Sequence, residues 1–356
     1  MLLSLFLAVL GLAVSSAQQL PHDIHKGRVI GGTSADTGAY PFAAFLIVNE
    51  GGGTSAFCGG TIIDHQWILT AGHCVVAEDG GNKLTNSSLP LWAHRRSGHR
   101  WPKKTKSGGY PVISNKNIVV GVGNANIANM QTYKVSEVHV HPDLNLDYFD
   151  NDIAVLKLHS KLNFDEFVQP IRIDTNSVQD GMTVTGIGWG KTRLDQTVTS
   201  DVLQQVDLTI GNEPICSAIR PRFDSNNGNY ICVSTPDGRD TCSGDSGGPL
   251  LRRCNDDLSS TGIQGTGPWV QLGITSYGDN VEHSDEAVCA ASDGAGFYTH
   301  AAKYLDFISS KTGISRRNLV GDCNGGHVEY GGGDNAGHTT KMSMWMLLVV
   351  IACKLL

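Results

Sequence analysis

The chain has 356 residues, of which 40 % are hydrophobic and 17 % are charged, and its formal net charge is −7. A chain of this length and composition can form one large or two small globular domains. The net negative charge argues against a dedicated nucleic-acid-binding protein, because such a protein needs positive charge to approach phosphates.

The N-terminal sequence predicts an export signal. Residues 1–17, MLLSLFLAVLGLAVSSA, are apolar and close with small residues, and the run is shorter than the roughly 20 residues needed to span a bilayer. We therefore expect a cleaved signal peptide rather than a membrane anchor. An exported chain meets an oxidising compartment, so its nine cysteines point to disulfide bonds, and their odd number requires an explanation.

The central part, residues 28–313, alternates short apolar segments such as FAAFLIV, NIVVGVG and DIAVLKL with Gly, Asn and Asp turns. Such spacing predicts an all-β protein with many short strands. One helix is expected around Ala301–Lys311, because Tyr304, Leu305 and Ile308 fall on one face there.

The stretch DTCSGDSGGPL, at 240–250, is poorly suited to a helix or a strand, since glycine weakens both. Residues 244–248 satisfy G-x-S-x-G, the nucleophile elbow of α/β-hydrolases. That fold requires alternating strands and helices, a helix directly after the elbow and a histidine downstream of the serine. Pro249 follows the elbow at once and most of the chain lacks helical periodicity, so we reject this interpretation.

Two upstream segments supply a different arrangement. His73 stands beside Cys74 in LTAGHCV, and Asp152 opens the apolar segment of DNDIAVLKL. Together with GDSGGP and RVIGG, these motifs occur in the order found in the trypsin/chymotrypsin family of serine proteases, which the sequence resembles over residues 28–313. The resemblance implies an all-β fold of two six-stranded antiparallel Greek-key barrels with a C-terminal helix. It also implies an endopeptidase that works through an acyl-enzyme.

The chemistry of that family requires these residue types. A serine hydroxyl such as that of Ser246 is a weak nucleophile until a base, here His73, takes its proton during the attack. A buried carboxylate, here Asp152, keeps the imidazole in the correct tautomer. The backbone N–H groups of Gly244 and Ser246 are expected to stabilise the oxyanion, at a few kcal/mol per donor.

The resemblance also implies cleavage after Arg or Lys in protein or peptide substrates, and recognition by protein protease inhibitors. Asp240 lies six residues before Ser246 and matches the floor of the S1 pocket, where a buried carboxylate attracts a cationic side chain. Gly278 and Gly296 match wall positions that must be small. Ser276 matches the residue that hydrogen-bonds the acid of the triad.

Asp245 has no role in the triad, and the resemblance assigns it to activation. In the family this acid pairs with an α-amino group that proteolysis creates, and the matching cut lies between Arg28 and Val29. A buried carboxylate without a partner is costly. The sequence therefore predicts a zymogen with residues 18–28 as its propeptide, activated by another protease or by itself.

The cysteines follow the same resemblance. It implies three disulfides, Cys58–Cys74, Cys216–Cys232 and Cys242–Cys289. Cys254, Cys323 and Cys353 remain. If the C-terminal tail is removed with Cys353, Cys254 and Cys323 are left to form a fourth bridge.

Three insertions depart from the lengths usual in the family. The first, residues 77–116, follows the histidine and carries a glycosylation sequon at Asn86 and the basic run HRRSGHRWPKKTK. A polyanion-binding patch and a merely solvated loop both fit that run. The second, 252–271, suggests no role. The third, 279–288, is acidic and predicts a preference for basic residues upstream of the cleaved bond.

No metal or other cofactor is expected. A calcium site needs oxygen ligands, chiefly carboxylates. The stretch GVGNANIANMQ, which corresponds to the calcium loop of some relatives, contains no carboxylate side chain.

The C-terminal sequence predicts a lipid anchor. A glycine-rich tail at 314–335 leads to Asn335, where small residues begin, and 336–356 adds a polar spacer and an apolar end. This order is typical of a GPI-attachment signal. The apolar run of about 13 residues is too short for a transmembrane helix. A tail that simply packs or is trimmed is the alternative, so we expect a protein that is secreted or held at the cell surface.

A second class of function stays open at this point. A non-catalytic binding or inhibitor protein can have the same fold, but such proteins typically lack a residue of the triad. His73, Asp152 and Ser246 are all present here.

Overall fold

The computed structural model describes residues 29–51, 54–77, 104–105, 109–196, 198–254, 267–281 and 289–321. The predicted signal peptide, the propeptide with Arg28, the sequon at Asn86, most of the acidic loop 279–288 and the predicted GPI signal with Asn335 lie outside these residues.

Six antiparallel strands close the first barrel. They are β2 (Ala43–Gly51), β3 (Thr54–Asp64), β4 (Trp67–Thr70), β5 (Ile118–Val122), β6 (Gln131–Val140) and β7 (Ala154–Leu158). The order is β2-β3-β4-β7-β6-β5, and pairing of β2 with β5 closes the sheet. Inward-facing side chains such as Leu46, Val120 and Leu156 are fully buried and fill the interior.

Six further strands form the second barrel. They are β9 (Thr183–Gly188), β10 (Gln204–Ile210), β11 (Tyr230–Ser234), β12 (Pro249–Arg253), β13 (Trp269–Asn280) and β14 (Gly294–His300). The order is β10-β11-β14-β13-β12-β9, and β9 pairs with β10 to close it. The prediction of two six-stranded antiparallel barrels is confirmed.

Two short strands lie outside the barrels. β1 (Thr33–Ser34) pairs with β10, and β8 (Arg172–Ile173) pairs with β13 in the parallel sense. They extend the second sheet to eight strands.

The described part of the chain contains three α-helices. They are α1 (Glu213–Ile219), α2 (Leu305–Thr312) and α3 (Arg316–Leu319). The expected C-terminal helix begins as a 3₁₀ turn at Ala301–Tyr304, continues as α2 and ends at Gly313, whose φ of 74° suits glycine. Tyr304, Leu305 and Ile308 are buried as the periodicity predicted.

The packed chain continues beyond Gly313. Leu319 of α3 is 1 % exposed, and Val320 forms a bridge with Ile173 of β8. The first part of the stretch predicted as a glycine-rich tail therefore packs against the domain. Among the helices that can be described, none has the length and apolar character needed to cross a membrane.

Three disulfides join the pairs that the resemblance implied, Cys58–Cys74, Cys216–Cys232 and Cys242–Cys289. Cys254 is also disulfide-bonded, and its partner lies outside the described residues. Its pairing with Cys323 stays a prediction.

Candidate active site

The three predicted catalytic residues come from both barrels. His73 opens a 3₁₀ turn (His73–Val75) shortly after β4, and Asp152 stands two residues before β7, so the first barrel carries both. Ser246 lies in the loop between β11 and β12 of the second barrel. Packing of the two barrels therefore brings these residues together.

His73 and Asp152 form a closely bonded pair. The backbone N–H of His73 donates to Asp152 Oδ1 at 2.8 Å, and its Nδ1 lies 2.7 Å from Oδ2. Ser276 Oγ donates to the same Oδ2 at 2.5 Å, and Thr299 Oγ1 donates to the carbonyl of Asp152 at 2.9 Å. Because Nδ1 faces a carboxylate, it carries the proton, and Nε2 is left to accept one.

Burial alone would raise the pKa of Asp152, which is fully buried. The electrostatic interaction with His73 and the hydrogen bonds from His73 and Ser276 outweigh burial and hold the pKa of Asp152 below its ordinary value. The carboxylate therefore stays ionised beside the imidazole.

Ser246 is held by bonds to the backbone around it. Its carbonyl accepts from Gly59 N at 2.7 Å, and the next residue, Gly247, donates to Thr275 O at 2.8 Å. Gly247 has a φ of 79°, and a Cβ there would lie 2.2 Å from Thr70 Oγ1. Glycine is therefore required at that turn.

The predicted base and the predicted nucleophile residue both lie close to Cys74. Cys74 Sγ lies 3.7 Å from His73 Nε2 and 3.6 Å from the carbonyl oxygen of Ser246. Within the described residues, no hydrogen bond joins Ser246 Oγ to His73 Nε2. In free enzymes such bonds are often long and tighten only when substrate binds.

Two backbone donors belong to the turn around Ser246, residues 244–248, which we call the nucleophile loop. In the part of the chain that the structure describes, the N–H groups of Gly244 and Ser246 donate to no protein atom, and both residues are partly exposed. Gly244 has a φ of 100°, and a Cβ there would lie 2.9 Å from Gly190 Cα. These donors are suited to an oxyanion.

The carboxylate of Asp245, a residue of the same loop, points into the protein interior. It is fully buried, and it accepts from Gly190 N at 2.7 Å and from Cys242 N at 2.8 Å. Burial raises its pKa to about 7, although the two amide bonds act in the opposite direction. A Cβ on Gly188 or Gly190 would lie 2.0 Å or 2.5 Å from the Asp245 side chain, so both glycines make room for it.

Val29, the first described residue, is fully buried among Val178, Val184 and Val206. The following carbonyl, that of Ile30, accepts from Asp240 N at 3.2 Å. The chain directly after the predicted cut is thus already packed in the second barrel.

Asp240 lies with the two predicted wall glycines. It is 2 % exposed, and its Oδ2 accepts from Ala290 N at 3.1 Å, whereas its Oδ1 has no partner among the described residues. Burial raises its pKa to about 7. Gly278 and Gly296 pair across β13 and β14, and a Cβ on Gly296 would lie 3.2 Å from Asp240 Oδ1.

The sequence analysis missed several residues that hold this site. Gly59, Gly190 and Thr299 contact Ser246, Asp245 and Asp152 from distant parts of the chain. Only Gly190 had a local signal, because it belongs to the glycine-rich GIGWG segment.

One cluster of potential metal ligands occurs in the described part of the chain. Ligand atoms of Cys58, His73 and Cys74 lie within 4.8 Å of one another. The two cysteines are joined in a disulfide and cannot act as thiolate ligands. The expectation of no metal stays a prediction.

Two antiparallel barrels with a histidine, an aspartate and a serine between them define a chymotrypsin-like protein. The Trypsin family model matches residues 29–99 and 106–308. The chain therefore belongs to the trypsin family of serine proteases, a family of hydrolases, and the resemblance stated above is confirmed.

Three similar proteins illustrate the relationship to known proteases. The chain is 29 % identical to phenoloxidase-activating factor 3 of Holotrichia diomphalia over 291 residues, which are 81 % of this chain and 73 % of that protein. It is 28 % identical to CLIP domain-containing serine protease B4 of Anopheles gambiae, over 79 % of this chain and 69 % of that protein. It is 30 % identical to trypsin-1 of Astacus astacus, over 79 % of this chain and 99 % of that protein.

Proposed function

We propose that this protein is an endopeptidase that hydrolyses peptide bonds after Arg or Lys through an acyl-enzyme. The observation that carries the proposal is the buried carboxylate of Asp240, whose Oδ1 has no partner among the described residues, next to two wall glycines. A buried carboxylate with an unmet acceptor is stabilised by a cationic side chain that reaches it.

The proposed reaction uses the residues of the candidate site in turn. The substrate cation pairs with Asp240, and Ser246 Oγ attacks the carbonyl carbon while its proton passes to His73 Nε2. The N–H groups of Gly244 and Ser246 bind the oxyanion, and Asp152 stabilises the imidazolium.

The tetrahedral intermediate then collapses. The C–N bond breaks, and His73 gives its proton to the leaving amine, which leaves an ester on Ser246. A water molecule attacks this ester and passes a proton to His73. The acid product departs, and the Ser246 hydroxyl recovers the proton.

We further propose that the chain is made as a zymogen and activated by a cut after Arg28. Asp245 is buried and forms no ion pair with any side chain that the structure describes. A new ammonium group on Val29 would supply its partner, since Val29 is already buried in the same barrel. The activating protease is another enzyme of this specificity or the protein itself.

The proposal includes export, disulfide formation and glycosylation at Asn86. It also includes a GPI anchor at Asn335 that holds the protease at the outer cell surface. These features rest on the sequence signals alone. Protein or peptide substrates with Arg or Lys at the cleaved bond, and protein protease inhibitors, are the expected partners.

The test is to profile the full chain, cut after Arg28, on a peptide library that varies the residue before the cleaved bond. We expect cleavage after Arg and Lys, loss of this preference in Asp240→Ser, and no activity in Ser246→Ala. Equal turnover of a Phe substrate and its Arg analogue would contradict the proposed specificity. Equal behaviour of Ser246→Ala and the wild type would favour the non-catalytic binding protein.

A further inference from the structure

The segment directly before Asp152 has an uncommon backbone conformation. Phe149 and Asn151 both have a φ of 55°, which residues other than glycine seldom adopt. Asp150 lies between them and exchanges backbone hydrogen bonds with Asn145, at 2.9 and 3.0 Å. Such a conformation persists only where neighbouring groups determine it. The placement of Asp152 therefore depends on the groups that hold residues 149–151.

Arg220 reaches this segment from the second barrel. It follows α1 directly, and it is 8 % exposed. Its Nη2 donates to Asp150 Oδ1 at 2.7 Å, and its Nη1 donates to the carbonyl of Tyr148 at 2.8 Å. One guanidinium group thus binds a side chain and a backbone carbonyl of the same segment, which its planar fork of donors allows.

The same guanidinium group contacts β13 and β11. Nη1 also donates to the hydroxyl of Tyr277, and Cζ lies 3.8 Å from the ring centre of Tyr230. The hydroxyl of Tyr230 in turn donates to Asp150. Arg220 therefore lies between two tyrosine rings with its charge paired to one carboxylate.

Aromatic stacking continues this contact to the catalytic histidine. The ring of Tyr277 stacks on that of Phe149, with 4.8 Å between the ring centres and 20° between the planes. The rings of Phe149 and His73 form a T-shaped contact at 5.9 Å and 84°. Tyr277 also follows Ser276, which donates to Asp152. Arg220 thus joins the segment that carries Asp152 to the strand that carries Ser276.

We propose that Arg220 is a positioning residue for catalysis, which fixes Asp152 relative to Ser276 and His73 through Asp150 and Tyr277. The inference rests on the proposed function, because the position of Asp152 matters to activity only if the triad acts. Arg220 contacts none of the reacting atoms and lies outside the motifs that identify the family.

The chain offers a matched comparison for a purely structural role. Arg252 of β12 forms an ion pair with Asp174, and these side chains are 9 % and 0 % exposed. The side chains of Arg220 and Asp150 are 9 % and 30 % exposed. Arg252→Gln therefore removes a pair that is at least as buried.

The experiment uses the full chain cut after Arg28, as wild type, Arg220→Gln, Arg220→Lys, Arg252→Gln and Ser246→Ala. Three quantities are measured for the folded fraction: kcat and KM on an Arg peptide substrate, and the rate of inactivation by phenylmethanesulfonyl fluoride. This reagent sulfonylates an activated serine, with fluoride as the leaving group, and carries no cation for Asp240. Its inactivation rate therefore reports on the triad without the Arg pocket.

We expect Arg220→Gln to lower kcat and the inactivation rate by a common factor of roughly 10 to 100, because a misplacement of about 1 Å can cost that much. KM should change little. Arg220→Lys should give values of kcat and the inactivation rate between those of Arg220→Gln and the wild type, since it keeps the positive charge but loses the planar fork of guanidinium donors. Arg252→Gln should lower the melting temperature and leave both rates at the wild-type level.

Wild-type rates in Arg220→Gln would overturn the inference. A rise in KM alone would also overturn it, because Arg220 would then act on substrate binding. If Arg220→Gln does not fold, Asp150→Asn and Tyr277→Phe test the same contacts with little change of shape, and each should lower kcat and the inactivation rate. When either is combined with Arg220→Lys, the loss in each rate should differ from the product of the two single losses. A wild type that neither cleaves the substrate nor reacts with the reagent contradicts the proposed function instead.

Discussion

Two buried carboxyl groups, Asp240 and Asp245, lie shortly before Ser246 in the sequence, and they differ in how their oxygens are satisfied. Both oxygens of Asp245 accept backbone N–H groups, whereas Oδ1 of Asp240 has no partner in the described part of the chain. Burial raises the pKa of each to about 7. Asp245 is thus fixed within the fold, whereas Asp240 keeps one acceptor oxygen that the proposed substrate cation would use.

The raised pKa of Asp240 predicts a pH dependence of cation binding. A proton and a ligand cation compete for the carboxylate, so benzamidine should bind the cut Ser246→Ala variant about tenfold more weakly for each pH unit below about 7. Calorimetric titration between pH 5 and 8 measures this. Asp240→Asn is the control and should bind weakly at every pH. A constant affinity of the Asp240 protein over this range would contradict the prediction.

At the scale of elements, the end of β9 and the turn after it form the support of the nucleophile loop. Gly188 and Gly190 leave space for Asp245, and Gly190 N donates to its carboxylate. Gly190 Cα also lies directly against Gly244, one of the two proposed oxyanion donors. The turn after β9 therefore determines where the backbone of the nucleophile loop lies.

Substitution of Gly190 tests this support. A Cβ there would lie 2.5 Å from Asp245 Cγ, so Gly190→Ala should displace the loop at a cost of about 1–3 kcal/mol in stability. We expect kcat to fall about 100-fold, as when one oxyanion donor is lost. Gly109→Ala is the matched control, because its Cβ meets no atom within 4 Å. Wild-type kcat in folded Gly190→Ala would show that the turn does not support the loop.

At the scale of the whole molecule, the site exists only where the two barrels meet. Asp152 from the first barrel accepts from Ser276 and Thr299 of the second, and Gly59 of the first donates to Ser246 of the second. These bonds cross the interface, so the geometry of the triad and the packing of the barrels depend on each other.

Activation should change the pH dependence of stability. The pKa of Asp245 is about 7 in the folded uncut chain against an ordinary 3.8, so the folded state keeps a proton that the unfolded chain releases. This contribution is complete below about pH 4 and is lost as the pH rises through about 7. In the cut chain the Val29 ammonium group pairs with the carboxylate, so the loss is offset.

We therefore expect the melting temperature of the cut chain to exceed that of the uncut chain by a margin that grows from pH 4 to pH 7. Calorimetry of both forms, with Ser246→Ala to prevent self-digestion, measures this margin. Arg28→Gln should fold like the uncut wild type and resist activation. A margin that does not change with pH would show that Asp245 has no new partner after the cut.

The proposed lipid anchor makes a prediction for the protein on cells. Treatment of intact expressing cells with a phosphatidylinositol-specific phospholipase should release the activity into the medium, because the GPI signal is exchanged for a lipid at Asn335. Activity that stays with the cells, together with a mature C-terminal peptide that contains Leu356, would exclude the anchor.

The sequence by itself determined the all-β class and the C-terminal helix from short periodicities, and it determined the family from contiguous motifs. The two barrels and the three disulfides followed from the resemblance to that family. Examples are GDSGGP, AGHC and the helical spacing of Tyr304, Leu305 and Ile308. Local signals of this kind survive without knowledge of distant contacts. The packing of residues 314–321 gave no such signal, because it depends on β8.

Only the tertiary structure decided which residues hold the candidate site in place. Arg220 lies 70 positions from Asp150, and Gly190 lies 55 positions from Asp245. The partners of Asp150 and Asp245 therefore come from distant elements, and no local pattern marks them. Burial is likewise a property of the assembled barrels, so the raised pKa values of Asp240 and Asp245 arise only when the chain is folded.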